Sequence, residues 1–187
     1  MFSHQIRDDL ALKIVSIQDA EEAFQLVDQN RDYLKRWLSW VDDSKTVEDT
    51  KSFILSNLKN YAEQKSLTVS IVYQGKIVGV AGFNSIDRTN KIAYIGYWLA
   101  SEYQGRGIVT NVAKALTDYA FHELHLNRVE IRAAIGNKKS RSIPERLGYT
   151  EEGLIRQAEW LYDHYVDHVI YGILASEWNN EKGEPLK

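Results

Sequence analysis

The chain contains no cysteine and only two prolines, Pro144 and Pro185, among its 187 residues. The first absence excludes disulfides, thiolate nucleophiles and Cys-ligated zinc, and it fits a reducing, cytoplasmic compartment. The second leaves no proline-rich linker. With no internal repeat or low-complexity stretch either, residues 1–187 are expected to form one domain. No segment approaches the ~20 apolar residues needed to cross a bilayer, and the start, "MFSHQIRDDLALKI", lacks an apolar run of signal-peptide length. An excess of positive charge is missing as well: 26 acidic residues against 23 basic give a net charge of −3. That balance disfavours nucleic-acid binding through a broadly basic surface. No Gly-x-Ser-x-Gly elbow offers a serine hydrolase, and "FHELH" (residues 121–125) is not the His-Glu-x-x-His of a zinc helix. His164 and His168 in "DHYVDH" share a strand face but are spaced too far apart to hold one metal, so no metal site is expected. What remains is 44% hydrophobic and 26% charged, the composition of a soluble globular domain with one sizeable core.

Hydrophobic periodicity orders the chain. "LALKIVSI" (10–17) is expected as a first strand, and Asp19 with Glu22 three residues on marks a helix start in "DAEEAFQLVD". "RDYLKRWLSWVDD" follows as a short helix or loop rich in aromatics. Thr46 with Asp49 has capping-box spacing and opens a helix to about Gln64, with Val47, Ile54, Leu58 and Tyr61 on its apolar stripe. "LTVSIVY" and "KIVGVAGFNSI" flank a Gln74-Gly75 turn as a hairpin, and "KIAYIGYWLA" is a third β segment. A second long helix carries Ile108, Val112, Leu116, Tyr119 and Ala120 on one face. "NRVEIRAAI" is a strand, "KKSRSIPERL" a short helix closed by Gly148, and "YTEEGLIRQAEW" and "YVDHVIYGIL" are two more strands. The order β, α, α, three β, α, β, α, two β predicts an α/β (α+β) protein with a mixed sheet flanked by helices, not a doubly wound repeat.

One stretch resists a purely structural explanation. "ASEYQGRGIVT" (100–110) passes from a strand through Gln104-Gly105-Arg106-Gly107 into a helix with no ordinary capping residue. Two glycines let the backbone turn sharply and approach a ligand, while the first free N–H groups of the helix point outward with the positive end of its dipole. Such a turn can cradle phosphate, and Arg106 could add a charged contact. Thr110 stands where a dinucleotide fingerprint has its third glycine, and no Gly-Lys-Ser/Thr follows for a P-loop. The alternative is that the glycines only shape a connection.

The pairing of "IGYWLASEYQGRGIVT" with "NKKSRSIPERLGYTEEG" resembles the GNAT superfamily of N-acetyltransferases, and within it the RimJ/RimL-like branch that acetylates N-termini of ribosomal proteins. The likeness runs from about Leu12 to Leu174. It implies a splayed sheet in which the strand ending at Trp98 and Leu99 holds the pantetheine arm of acetyl-CoA. It further implies that Gln104, Gly105, Arg106, Gly107, Ile108 and Val109 wrap the diphosphate, with the Thr110 hydroxyl close by. Many relatives carry Arg or Gln where this chain has Glu102, an acid expected to point away. By the same resemblance Asn137 contacts the cofactor near its pantetheine amide and Ser140 lies beside the thioester sulfur. Ile143 and Pro144 occupy the neighbourhood where other branches place a tyrosine. Ser140 is also a plausible helix cap, and the two roles can coexist. The resemblance makes Glu159, in "RQAEWL", the catalytic base, against the alternative of an exposed strand acid.

Acetyl transfer from a thioester to an amine needs a neutral amine, a base and support for the developing oxyanion, with no covalent enzyme intermediate. At neutral pH, stripping the proton from an α-amine costs ~1.1 kcal/mol, and from lysine ~3.5 kcal/mol more. One carboxylate suits the easier task, which favours the N-terminal α-amine of a protein. A small amine such as a polyamine or aminoglycoside is the alternative acceptor, and a non-catalytic acetyl-CoA sensor the alternative class. Tyr33, Trp37 and Trp40 either border the acceptor cleft or serve the core, the latter expected for Trp37. The basic group Arg132, Lys138, Lys139, Arg141 and Arg146 either meets the adenosine 3′-phosphate or an acidic partner surface, or is a solvated face. Family relatives pair as homodimers, so a homodimer is a further expectation; no membrane or nucleic-acid partner is expected.

Overall fold

The computed structural model describes residues 3–178; Pro185 and both ends of the 1–187 span lie outside them. Its strands are β1 (Ser3–Arg7), β2 (Leu10–Ile14), β3 (Leu67–Tyr73), β4 (Lys76–Asp87), β5 (Ile92–Leu99), β6 (Arg128–Ala134), β7 (Thr150–Leu161) and β8 (His164–Leu174). The helices are α1 (Ala20–Gln29), α2 (Arg31–Leu34), α3 (Val47–Ala62), α4 (Ile108–His122), α5 (Lys138–Arg146) and α6 (Ala175–Trp178). The strands form one sheet in the order β1-β2-β3-β4-β5-β6-β8-β7. Every neighbouring pair is antiparallel except β5 and β6, which α4 connects as a parallel crossover. The mixed sheet flanked by helices is therefore as expected.

The β5–β6 ladder ends at the Ile95↔Ile131 pair, although β5 continues to Leu99 and β6 to Ala134. The two strands part there, and the wedge between them leaves backbone groups without a strand partner. Below it lies the main core, where Phe83, Ile95, Leu99, Ile131, Val169 and Tyr171 of the sheet pack with Ile108, Val112 and Leu116 of α4 and Ile143 of α5. Leu116 is 2% exposed. Leu116→Ala is expected to cost about 2–5 kcal/mol of stability, read as a lower urea midpoint at unchanged m-value.

Local chemistry explains most boundaries. Gln74 and Gly75 take φ 50° and 78°, so both central turn residues are left-handed and their twist matches the hairpin. Thr46 and Asp49 cap α3 reciprocally, with Thr46 N–H donating to Asp49 Oδ2 at 2.8 Å and Asp49 N–H to Thr46 Oγ1 at 3.3 Å. Gly148, at φ 77°, ends α5: its N–H donates to Glu145 O and the Tyr149 N–H to Pro144 O, a paired closure of the last turn.

Four expectations are corrected. β1 is an added strand, polar and on the sheet's outer edge, so no alternation betrays it. The first predicted strand stops at Ile14, and a 3₁₀ turn at Ile17–Asp19 follows, capped by Ser16 Oγ. Asp19 stands at the N-cap of α1 as expected, but its side chain makes no cap bond, since Lys13 Nζ lies 2.6 Å from its carboxylate, and Glu22 instead accepts the Ile77 N–H at 2.9 Å. Tyr61 and Tyr119, placed on apolar stripes, are 42% and 38% exposed.

Candidate active site

The helix start after β5 is built as its sequence suggests. Gly105 and Gly107 take φ 74° and 69°, and α4 begins at Ile108 with Gly107 as an N-cap that supplies no side chain. Among the described residues, no acceptor meets the N–H groups of Gly105 to Thr110. A Cβ at Gly105 would meet nothing within 4 Å. The loop is open from outside, with unsatisfied donors and the dipole's positive end behind them, and that combination suits an anion. Lys139 Nζ donates to Gln104 Oε1 at 2.9 Å, tying the loop to the start of α5. Glu102 is exposed and outside the cavity lining, and the Arg106 guanidinium lies over the Tyr103 ring and donates to Glu102 O at 3.2 Å.

From this loop a cavity of about 1340 Å³ runs through the wedge between β5 and β6 to the aromatic segment after α2. Trp98, Leu99, Gln104, Gly105, Gly107, Ile108, Val109, Thr110, Asn137, Ser140 and Glu159 all line it. Gly82 and Gly96, opposite each other on β4 and β5, keep part of its floor free of side chains.

At α5 the cap is Asn137, whose Oδ1 accepts the Ser140 N–H at 3.2 Å. Ser140 sits inside the first turn, and its hydroxyl is not used to cap. Pro144 lacks the N–H that would bond the Ser140 carbonyl one turn earlier. The Tyr97 hydroxyl supplies it instead, donating to Ser140 O at 3.0 Å, with Ser140 Oγ 3.4 Å from the same phenol. Burial pushes the Tyr97 phenol up, so it stays protonated at neutral pH.

Across the cavity, Glu159 on β7 is held at both oxygens. Ser39 Oγ donates to Oε1 at 2.8 Å, and His168 Nε2 lies 3.1 Å from Oε2. The His168 contact holds its carboxyl below the usual carboxylate range against the upward push of burial, with Ser39 assisting. Glu159 is therefore an ionised acceptor at neutral pH.

The pattern of an Acetyltransferase (GNAT) domain matches residues 9–150. The chain belongs to the GNAT acetyltransferase family. YdaF of Bacillus subtilis is 35% identical over 97% of this chain and the whole of its own length. The ribosomal-protein-serine acetyltransferase of Escherichia coli is 30% identical over 89% of this chain and 93% of its own. Among solved structures, the microcin C7 self-immunity acetyltransferase MccE in complex with acetyl-CoA and AMP superimposes with a TM-score of 0.86 at 35% identity, covering 90% of this chain and 94% of that one. The ribosomal L7/L12 α-N-protein acetyltransferase RimL in complex with coenzyme A gives 0.88 at 29%, covering 92% and 98%.

Within this GNAT frame the basic group divides. Arg132 is paired with the buried Glu130 at 2.9 Å and lies over the Tyr94 ring, while Arg141 donates to Tyr171 Oη, Ile135 O and Glu151. Arg132, Lys139 and Arg146 line the cavity, and Lys138 and Arg141 do not. Trp37 is half-buried on the cavity wall beside Tyr33 and Trp40, not in the core. Sequence reasoning misses Tyr97, Ser39 and His168 as site residues. Pro144, in the last turn of α5, is the one signal of an unfilled carbonyl; nothing in the pattern announces the other two. Among the described residues no cluster of His, Cys, Asp and Glu could hold a metal ion, and no helix is long and apolar enough to cross a membrane.

Proposed function

We propose that this GNAT enzyme moves the acetyl group of acetyl-CoA directly to the N-terminal α-amine of a protein, a ribosomal protein being the favoured acceptor. The observation that carries the proposal is the single cavity onto which the donor-rich loop, Ser140 and Glu159 all open. The residues fit the cofactor: free amides at Gly105 to Thr110 for a diphosphate, the β5 edge beyond the end of the β5–β6 ladder, at Trp98 and Leu99, for the pantetheine arm, and Asn137 at its amide. When bound, acetyl-CoA supplies an acetyl carbon activated as a thioester.

The chain's own groups complete the chemistry. Glu159 takes the amine's proton at a carboxylate oxygen. Ser140 Oγ turns its proton toward the leaving sulfur, its backbone held by Tyr97. Tyr33, Trp37 and Trp40 exclude water from the acceptor end. Ser140→Ala is expected to lower kcat roughly tenfold to a hundredfold with the calorimetric affinity for coenzyme A unchanged.

The relatives named for ribosomal proteins support the protein acceptor. A small ring-bearing amine is the second reading, favoured by the indoles of Trp40 and Trp98, 6.1 Å apart, and by the AMP in the MccE complex. Thiol release from acetyl-CoA, screened against peptide N-termini and small amines with mass spectrometry of products, decides between them. Peptide products support the first reading and small-amine products alone the second. Failure of every amine favours a sensor. A ribosomal acceptor entails a cytoplasmic setting. The uncovered edge of β7, with Leu154 and Trp160 48% and 52% exposed, supports a homodimer.

A further inference from the structure

Beside the site, β7 and β8 do not pair regularly. Ile155 is opposite His168 and Glu159 opposite Val166, so Arg156, Gln157 and Ala158 together face Asp167 alone. Gln157 takes φ 50°, a left-handed conformation costing a non-glycine residue about 1 kcal/mol or more. Its N–H is caught by Asp167 Oδ1 at 2.7 Å. A ladder without the extra residues would place Gln157 opposite Val166; the bulge places Glu159 there. Glu159 thereby becomes the diagonal neighbour of His168 on one face, within reach of a long side chain. A strained segment with its own carboxylate clamp is what brings the two together.

The contact is chemically asymmetric. An ionised carboxylate can only accept, so His168 Nε2 carries a proton whenever the 3.1 Å bond is made, in the neutral or the charged ring. Both carboxylate oxygens are then held, by Ser39 and by His168, and the group cannot rotate. The other charged groups around His168 are occupied or distant in role. Arg132 on β6 is tied to Glu130, Asp167 to the Gln157 amide and His164 to Asp163. Asp43, after Trp40, lines the same cavity.

Resting on the reading of Glu159 as base, we propose that His168 is its positioning residue: its hydrogen bond fixes Glu159 Oε2 and, with Ser39 on Oε1, aims the carboxylate at the amine's proton. The assay is steady-state thiol release at saturating acetyl-CoA with a synthetic peptide bearing a free N-terminal serine, from pH 5.5 to 9, on folded variants verified by circular dichroism. His168→Ala should lower kcat roughly tenfold or more with KM for acetyl-CoA unchanged. His168→Gln, a neutral donor at every pH, should recover most of that rate across the range. A His168→Ala enzyme at full rate, or a His168→Gln enzyme no faster than His168→Ala, overturns the inference. Glu159→Gln in the same assay separates the two levels. If it keeps full rate, the reading of Glu159 fails; if it is dead while both His168 variants are fully active, only the His168 inference fails.

Discussion

Glu159→Gln is expected to lower kcat by about 10²- to 10⁴-fold, the span a positioned general base contributes. Glutamine matches the shape of the side chain and can still accept the Ser39 hydroxyl, but an amide oxygen cannot carry away an amine's proton. KM for acetyl-CoA should stay within about twofold, because Glu159 is on β7 and not on the loop proposed to meet the cofactor's phosphates. The substitution also has a stability signature. The folded carboxyl is held below its ordinary range by His168, so it contributes stability that is present above the unfolded value and lost as pH falls through the folded one. The gap in urea midpoint between wild type and variant should therefore be widest near neutrality and close toward acid. A variant with unchanged kcat would remove Glu159 from the chemistry.

Gly105→Val/Gly107→Val is the second large effect. Both positions have φ near +70°, where a β-branched residue is strained. Space is not the obstacle, since an added Cβ meets nothing at Gly105 and only Asn111 Nδ2, at 3.6 Å, at Gly107. The strain, about 1–2 kcal/mol at each site, has two outlets. If the loop holds its shape, the fold loses that amount. If the loop relaxes, the amides of Gly105 to Thr110 no longer converge. The loop touches solvent on its outer side and carries few buried contacts, so relaxation is the easier outlet. Calorimetric affinity for coenzyme A should fall by about 100-fold, close to 2.7 kcal/mol, with a small change in Tm. Undiminished affinity would show that the phosphates are held elsewhere.

The parts of this enzyme legible in its sequence are those set by local chemistry. Two glycines before an apolar stripe specify a helix start with free amides, Thr46 and Asp49 specify the cap of α3, and Gly148 specifies the end of α5. These need no knowledge of what packs against them. The parts that escape are set by partners distant in sequence. Asp19 has ideal helix-start spacing, yet Lys13 takes its carboxylate. Ser140 has the look of a cap, yet Asn137 performs that task and frees the hydroxyl. Trp37 has core-like spacing and instead lines the cavity wall. The bulge at Arg156 to Ala158 leaves no mark in a strand whose residues alternate weakly, so the pairing of Glu159 with His168 is invisible until the register is known.

The most direct measurement is a crystal structure of the protein grown with coenzyme A. Density for the diphosphate is expected against the backbone amides of Gly105 to Thr110, with the thiol end directed through the β5–β6 wedge toward Ser140. A diphosphate bound away from those amides, or a thiol that does not enter the wedge, would contradict this placement.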